Sequence, residues 1–561
     1  MPRISLSANT STERVFPVLS AAQLARVAAH GERRHVDEGE LLLAPGQPPE
    51  HCFVVVAGRL EIAAPGEEPA SLVAELGPGQ FSGEANMLSG RPGLVQIRAA
   101  AAGELISLSR AQLLALVQLD GELSEIFMRA FLLRRVELIG HALGGAVVVG
   151  SADSPDSLRL REFLGRNGHP FSFVDVDAAP DVQELLDRFR VAVADLPVVV
   201  CRGGAFLRNP SRAELADCLG FNRAIDPTRV RDVIVVGAGP AGLAAAVYAA
   251  SEGLDVLILE EEAPGGQAGS SSKIENYLGF PTGVSGQDLA GRAYNQAQKF
   301  GAEVLIARAA AGLLCDRAPY AVRLEDGTLL RGRLVVVASG ARYRRLRLES
   351  LARFEGCGVY YAATFLEAQL CKQAEVVVVG GGNSAGQAAV FLAETAKRVH
   401  VLVRSDPAAS MSRYLVRRIE ESPNVSLWTH TEVVDLHGDA HLQGVSWRDR
   451  RTGQGESHAI RHLFSMTGAV PRSDWLRGCV ALDPVGFVRT GSDLLSDDLR
   501  REGWPLARPP HSLETSRPGV FAVGDVRAGS LKRVASAVGE GATAIAYAHR
   551  VLRAREGGAS A

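Results

Sequence analysis

Between residues 15 and 110 the chain alternates short apolar runs with glycine and proline turns: ELLLAPG, HCFVVVAGRLEI, SLVAELGPGQ and LISLS. Runs of this length between turn residues predict a small antiparallel β-roll or barrel. From Arg110 to Leu143 the apolar positions recur at helical spacing (AQLLALVQ, LSEIFMRAFLLRRVELI), so helices are expected after the roll. Next, AVVVG, LRLREFLGRNG, FSFVDVD, VQELLDRF and PVVV alternate strand and helix in a compact βαβαβ pattern. NRAIDPTR reads as a linker. Beyond it, DVIVVGAGPAG and EVVVVGGGNSAG each run an apolar strand into a glycine turn and a helix, the opening of a nucleotide-binding βαβ unit.

At 561 residues the chain is too long for one core. A hydrophobic share of 47%, a charged share of 22% and a net charge of -3 fit a globular α/β protein and give no electrostatic case for nucleic acid or an anionic membrane. The N-terminus MPRISLSANTSTERVF has no apolar core of a signal peptide, and no apolar run reaches bilayer length, so a cytoplasmic protein is expected. The seven cysteines, Cys52, Cys201, Cys218, Cys315, Cys357, Cys371 and Cys479, form neither a C-x-x-C pair nor a metal-ligand spacing. They read as reduced, mostly buried thiols, and no metal site is expected.

In the first glycine turn Gly237 permits the tight turn, Gly239 lets backbone approach a pyrophosphate, and Gly242 allows close helix packing. The helix N-terminus then faces the anion. Glu260, at the end of the next strand DVLILE, stands where a carboxylate accepts ribose hydroxyls.

The run APGGQAGSSSKIENYLGFPTGVSGQDL (263–289) and VFAVGDVR (520–527) resemble the two FAD motifs of bacterial thioredoxin reductases, a likeness that covers residues 230–555. It implies two interleaved Rossmann-type α/β domains, one for FAD (226–345 and 472–561) and one for NAD(P)H (346–471). By the same likeness Gly266, Gln267 and Asn276 lie near the isoalloxazine, Asp525 holds a ribitol hydroxyl, and a helix starting near Ala535 turns its amides to the pyrimidine ring. A positive helix end there stabilises the anionic reduced flavin. A homodimer is implied by the family alone.

The second turn reads Gly380, Gly382, then Ala385 where a third glycine could stand. The strand VHVLVR ends in Arg404 with no acidic residue in the ribose position, and Arg413 is a second cation nearby. An arginine there pairs with a 2'-phosphate, which favours NADPH, with NADH the alternative.

In thioredoxin reductases a C-A-T-C-like pair passes electrons from flavin to thioredoxin. This chain reads GCGVYYAATF, with Ala362 and Phe365 at the two cysteine positions. Only a thiolate can attack a disulfide and leave again, so the dithiol route is absent, and Cys357 and Cys371 read as structural. Residues 144–225 resemble a thioredoxin or glutaredoxin fold through their strand–helix alternation and the Leu196-Pro197 step, where that fold uses a cis proline. Ser154-Pro155-Asp156-Ser157 stands in place of its C-P-x-C, leaving a docking role or a spacer. Residues 1–143 are similar to a cyclic nucleotide-binding domain: in GQFSGEANMLSGRPGLV, Gly83 and Glu84 match the phosphate cassette. Its arginine is displaced to Arg91, and a lost charge-assisted contact weakens binding about tenfold to a hundredfold. A cyclic nucleotide, another ligand and a vestigial domain all remain open.

The leading expectation is an FAD-dependent NADPH oxidoreductase that resembles thioredoxin reductase without its dithiol and delivers electrons to an external acceptor: a small redox protein, a quinone or oxygen. Thioredoxin-disulfide reductase activity is the second, and a redox- or nucleotide-sensing regulatory flavoprotein the third.

Overall fold

The computed structural model describes residues 15–44, 47–64, 71–83, 87, 95–140, 146–177, 192, 195–201, 205–271, 273–439 and 441–558. The N-terminal sheet is antiparallel throughout. The long strands His51–Ala64 and Gln96–Ser109 pair along their length and carry Glu32–Val36, Leu41–Leu43 and Ser71–Leu76 beside them. The helices Arg110–Leu119 and Gly121–Gly140 close it, and Phe81 stacks on Phe127 at 4.1 Å in the shared core.

A four-stranded sheet follows in the order Phe171–Asp175, Ala146–Gly150, Val198–Val200, Phe206–Arg208. The first two strands are parallel and joined through helix Pro155–Arg166; the third runs against Ala146–Gly150, and the fourth forms a hairpin with the third. This extends the βαβαβ expectation, which missed strand Phe206–Arg208 and helix Arg212–Cys218. A three-residue strand is too short for alternation to signal it. VQELLDRF lies outside the described residues. The Leu196-Pro197 peptide is cis.

The linker NRAIDPTR carries no helix or strand, but it is not a free tether. Asn222 donates to and accepts from the backbone of Ile306, at 2.8 and 2.7 Å, and Arg229 pairs with Asp255. The segment is pinned to the next domain at both ends.

The first Rossmann domain has a seven-stranded sheet. Glu303–Ile306, Val256–Glu260, Val230–Val236, Leu329–Val337 and Val520–Ala522 are its parallel strands. The hairpin Ala310–Leu314 and Tyr320–Leu324 extends it antiparallel. Val233, Ile234 and Val235 are wholly buried, as a strand covered on both faces requires. Strand Val520–Ala522 comes from the far end of the chain, and helix Val534–Gly558 returns to pack on helix Pro240–Ser251.

The second Rossmann domain orders its parallel strands Val359–Tyr360, His462–Ser465, Glu375–Val379, Arg398–Val403, Val425–Thr429. The chain crosses between the two domains at Ala341–Tyr343 and at Ala469–Pro471, and the crossings pair as an antiparallel ribbon.

Four cysteines expected as free thiols are joined: Cys201 with Cys218 and Cys315 with Cys479, their Cα atoms 6.5 and 6.0 Å apart. The partners are 17 and 164 residues apart in sequence, so spacing carried no signal of the pairing. Cys52, Cys357 and Cys371 are free. Among the described residues no helix is long and apolar enough to cross a membrane.

Candidate functional site

Helix Pro240–Ser251 starts directly from strand Val230–Val236, and the turn between them is glycine by necessity. Gly237 has φ +105°, and a Cβ on it would stand 2.3 Å from the Ala338 carbonyl oxygen. A Cβ on Gly242 would lie 1.9 Å from the Gly237 oxygen, so the helix seats on the turn only without a side chain. Gly239 is different. A Cβ there would meet nothing nearer than the Cα of Gly266 at 3.9 Å, so the space before the helix N-terminus is open to a ligand. Unpaired first-turn amides and the helix dipole make that space suited to an anion.

Gly266 belongs to the loop that closes this cradle, residues 265–269, whose Gly266–Gly269 forms a single helical turn. Gly265 N–H donates to the Ala238 oxygen at 2.7 Å, and the Gln267 side chain donates to the Ala341 carbonyl. From the far end of the chain, Gly524 packs on Ala241, and Gly541 brings helix Val534–Gly558 against the Ala241 carbonyl. Glu540 on that helix accepts from Gly524 N–H and from the Arg527 guanidinium, both at 2.6 Å. This fixes the turn that carries Asp525. Burial raises the Asp525 carboxyl above the usual carboxylate range, with Lys532 opposing. No protein hydrogen bond to that carboxyl is found among the described residues, so it is available to hydroxyl donors. Ala535 lies in the exposed first turn of helix Val534–Gly558, and Asn276 is exposed on the loop beyond Gly266.

Glu260 has a more specific place than the sequence implied. It is buried, and its carboxylate accepts from the amides of Ala238 (2.6 Å), Glu262 (2.9 Å) and Ala263 (3.2 Å). It therefore ties the glycine turn to the following loop, with capacity for about one further donor. Beside it, sequence reasoning missed Glu262. Burial works to raise this carboxyl, but Arg472, Arg166 and Arg212 outweigh it and hold it at about 2. The EEE run was the only hint.

In the second turn a Cβ on Gly382 would meet nothing within 4 Å, whereas Gly380 lies against the Met466 oxygen and Ala385 is buried beneath it. The loop after strand Arg398–Val403 folds over this turn: Ser410 donates to the Gly381 oxygen and Ser412 N–H to Asn383. Arg404 and Arg413 flank that loop, exposed, with no ion pair among the described residues.

Ala362 lies before the short helix Phe365–Leu370, whose Glu367 accepts from Thr364 N–H at 2.7 Å, and Cys371 follows it. Cys371 is fully buried and burial pushes its thiol up to about 11; burial raises Cys357 too. At the N-terminal domain Gly83 is described, and its carbonyl accepts from Arg134, which also lies over Phe16 and Phe81. Glu84 and Arg91 lie outside the described residues.

Residues 231–541 match the family model of the pyridine nucleotide-disulphide oxidoreductases, and residues 33–120 that of the cyclic nucleotide-binding domain. The chain is 32% identical over 324 residues to a thioredoxin reductase of Ureaplasma parvum, covering 58% of this chain and 97% of that one. It is 33% identical over 326 residues to a thioredoxin reductase of Streptomyces clavuligerus, covering 58% and 95%. The crystal structure of T. acidophilum thioredoxin reductase superposes with a TM-score of 0.52 at 28% identity, over 58% of this chain and 99% of that one.

Proposed function

This chain belongs to the pyridine nucleotide-disulphide oxidoreductase family and is an FAD-containing, NADPH-dependent oxidoreductase, and we propose that its flavin passes electrons straight to an external acceptor. The observation that carries the proposal is the segment 356–371: no C-x-x-C stands there or anywhere in the chain. Its thiols, Cys357 and Cys371, are both made poorer nucleophiles by burial.

FAD supplies the redox chemistry, accepting hydride from NADPH and releasing electrons. The chain's own residues bind and orient. We assign FAD to 226–345 with 472–561, where Gly237, Gly239 and Gly242 take the pyrophosphate at a helix N-terminus. Glu260 holds the turn and keeps room for a ribose hydroxyl, Gly266, Gln267 and Asn276 border the isoalloxazine, and Asp525 takes a ribitol hydroxyl. The helix start at Ala535 favours negative charge on the ring. We assign NADPH to 346–471, with Gly380, Gly382 and Ala385 at its pyrophosphate and Arg404 and Arg413 at its 2'-phosphate. NADH is the alternative.

Residues 144–225 form a thioredoxin-like domain without redox cysteines, and its sheet order and cis Pro197 support that reading. Residues 1–143 form the cyclic nucleotide-binding-like domain, which takes a nucleotide-type ligand. The protein acts as a cytoplasmic homodimer.

The names of the relatives favour a second reading, thioredoxin-disulfide reduction. The test is anaerobic mixing with NADPH while flavin absorbance is followed, then separate additions of oxygen, ferredoxin and oxidised thioredoxin. Bleaching followed by reoxidation with oxygen or ferredoxin is expected. Reoxidation by thioredoxin alone replaces the proposal with the second reading, and absence of bleaching leaves a regulatory flavoprotein.

A further inference from the structure

The middle domain reaches into the first glycine site. Its helix Pro155–Arg166 ends on Arg166, where a cation also suits the negative end of the helix dipole. One arm of that guanidinium pairs with Glu262 at 2.8 Å, and the other donates to the carbonyl oxygen of Gly266 at 3.0 Å. Asn167 adds a bond to the Glu262 carbonyl, and the Gly165 oxygen accepts from Gln287 at 2.9 Å. Arg212, also in the middle domain, faces the other oxygen of Glu262 at 3.5 Å.

An ordinary interdomain ion pair would end at the carboxylate. Here the second arm instead holds a backbone oxygen in the loop that faces Gly239. Gly266 has φ +53°, and a Cβ on it would stand 3.1 Å from the Gly239 Cα. Its peptide plane is therefore a wall of the open space before helix Pro240–Ser251. Arg166 and Glu262 are each about three-quarters buried, with side-chain exposures of 26% and 22%, so the contact is only partly screened by solvent.

The geometry points to Arg166 as a positioning residue for FAD, supplied by the middle domain: it fixes the Gly265–Gly269 loop in the orientation that receives the flavin. The inference rests on the assignment of that loop to FAD. The middle domain is then part of the cofactor site, whatever else docks on it. Linkage makes the effect mutual, so bound FAD holds the middle domain in place as firmly as the middle domain holds FAD.

The test uses the full chain. Flavin absorbance of the purified protein first establishes that FAD is bound; a flavin-free native protein that does not take up added FAD would sink the underlying assignment. Arg166→Ala is expected to weaken FAD at least about tenfold, ~1.4 kcal/mol, and to change flavin fluorescence and visible circular dichroism. Arg166→Lys, which keeps the charge but not the planar fork, should recover part of the affinity. Arg308→Ala removes the middle-domain pair with Asp217, which does not touch the loop, and should leave the flavin signals as they are in the native protein. Stripping FAD from the native chain should increase amide exchange along helix 155–166. An FAD-binding protein in which Arg166→Ala leaves affinity and spectra unchanged, or matches Arg308→Ala, overturns the inference.

Discussion

The carboxyl of Glu162, on the middle domain's helix, lies close enough to the carboxyl of Glu367 in the second Rossmann domain for the two to repel as anions. Glu367 is buried and accepts from both the N–H and O–H of Thr364. Burial first, then Glu367, push Glu162 up to about 9; Arg166 lowers it and Glu262 raises it more weakly, and Arg161 lies near Glu367. A carboxyl whose folded pKa is raised contributes stability that is whole below its unfolded value of 4.5 and is lost as pH climbs to about 9. The grip of the middle domain on the second Rossmann domain should therefore loosen across that window. Crosslinking yield between these domains is the measurement; Glu162→Gln should flatten its pH profile, and a flat profile in the native chain would refute the pairing.

Glu262 titrates with the opposite sign. Held at about 2, below its unfolded 4.5, it contributes stability that is complete above 4.5 and disappears as pH falls toward 2. Glu262→Gln should lower neutral-pH stability by about 1–3 kcal/mol, read from denaturant unfolding, and leave little difference near pH 2.

Gly242→Ala and Gly239→Ala should separate folding from binding. The first places a methyl 1.9 Å from the Gly237 oxygen and should cost roughly 1–3 kcal/mol or more together with the flavin. The second meets only open space and should fold normally while binding FAD weakly. Thermal midpoints and flavin occupancy distinguish them.

Arg404→Ala should raise KM for NADPH about tenfold to a hundredfold and leave KM for NADH nearly unchanged, because only NADPH carries the 2'-phosphate. Equal effects on both nucleotides would remove Arg404 from the phosphate site.

Thiol alkylation should leave turnover from NADPH to a non-thiol acceptor intact. Cys52 and Cys371 are wholly buried and Cys357 sits beside the Asp153 carbonyl, outside the proposed electron route. Loss of that turnover on alkylating Cys357 would reinstate a thiol step.

What the sequence disclosed follows from what local residues must do. Gly237 and Gly242 were legible because the backbone at those points excludes any side chain, and the strands around them because burial on both faces leaves an unbroken apolar run. Contacts between distant residues were not legible. Glu260 reads as a ribose ligand, and its carboxylate also takes three backbone amides, that of Ala238 in the distant glycine turn and those of Glu262 and Ala263 beside it. Glu262 gains its character from Arg166, Arg212 and Arg472, which no spacing connects to it. The pairing of Cys315 with Cys479 across 164 residues is of the same kind.

Strand Val520–Ala522, the Asp525 turn and helix Val534–Gly558 are made long after Val230, but they complete the sheet and the cradle that begin there. On the ribosome, the nascent chain must carry an edge at Val335–Val337 and a half-built pocket until that segment emerges. Cofactor capture is thus a late event in biogenesis, and a chain released early would have its glycine turns without the wall that keeps the flavin in place.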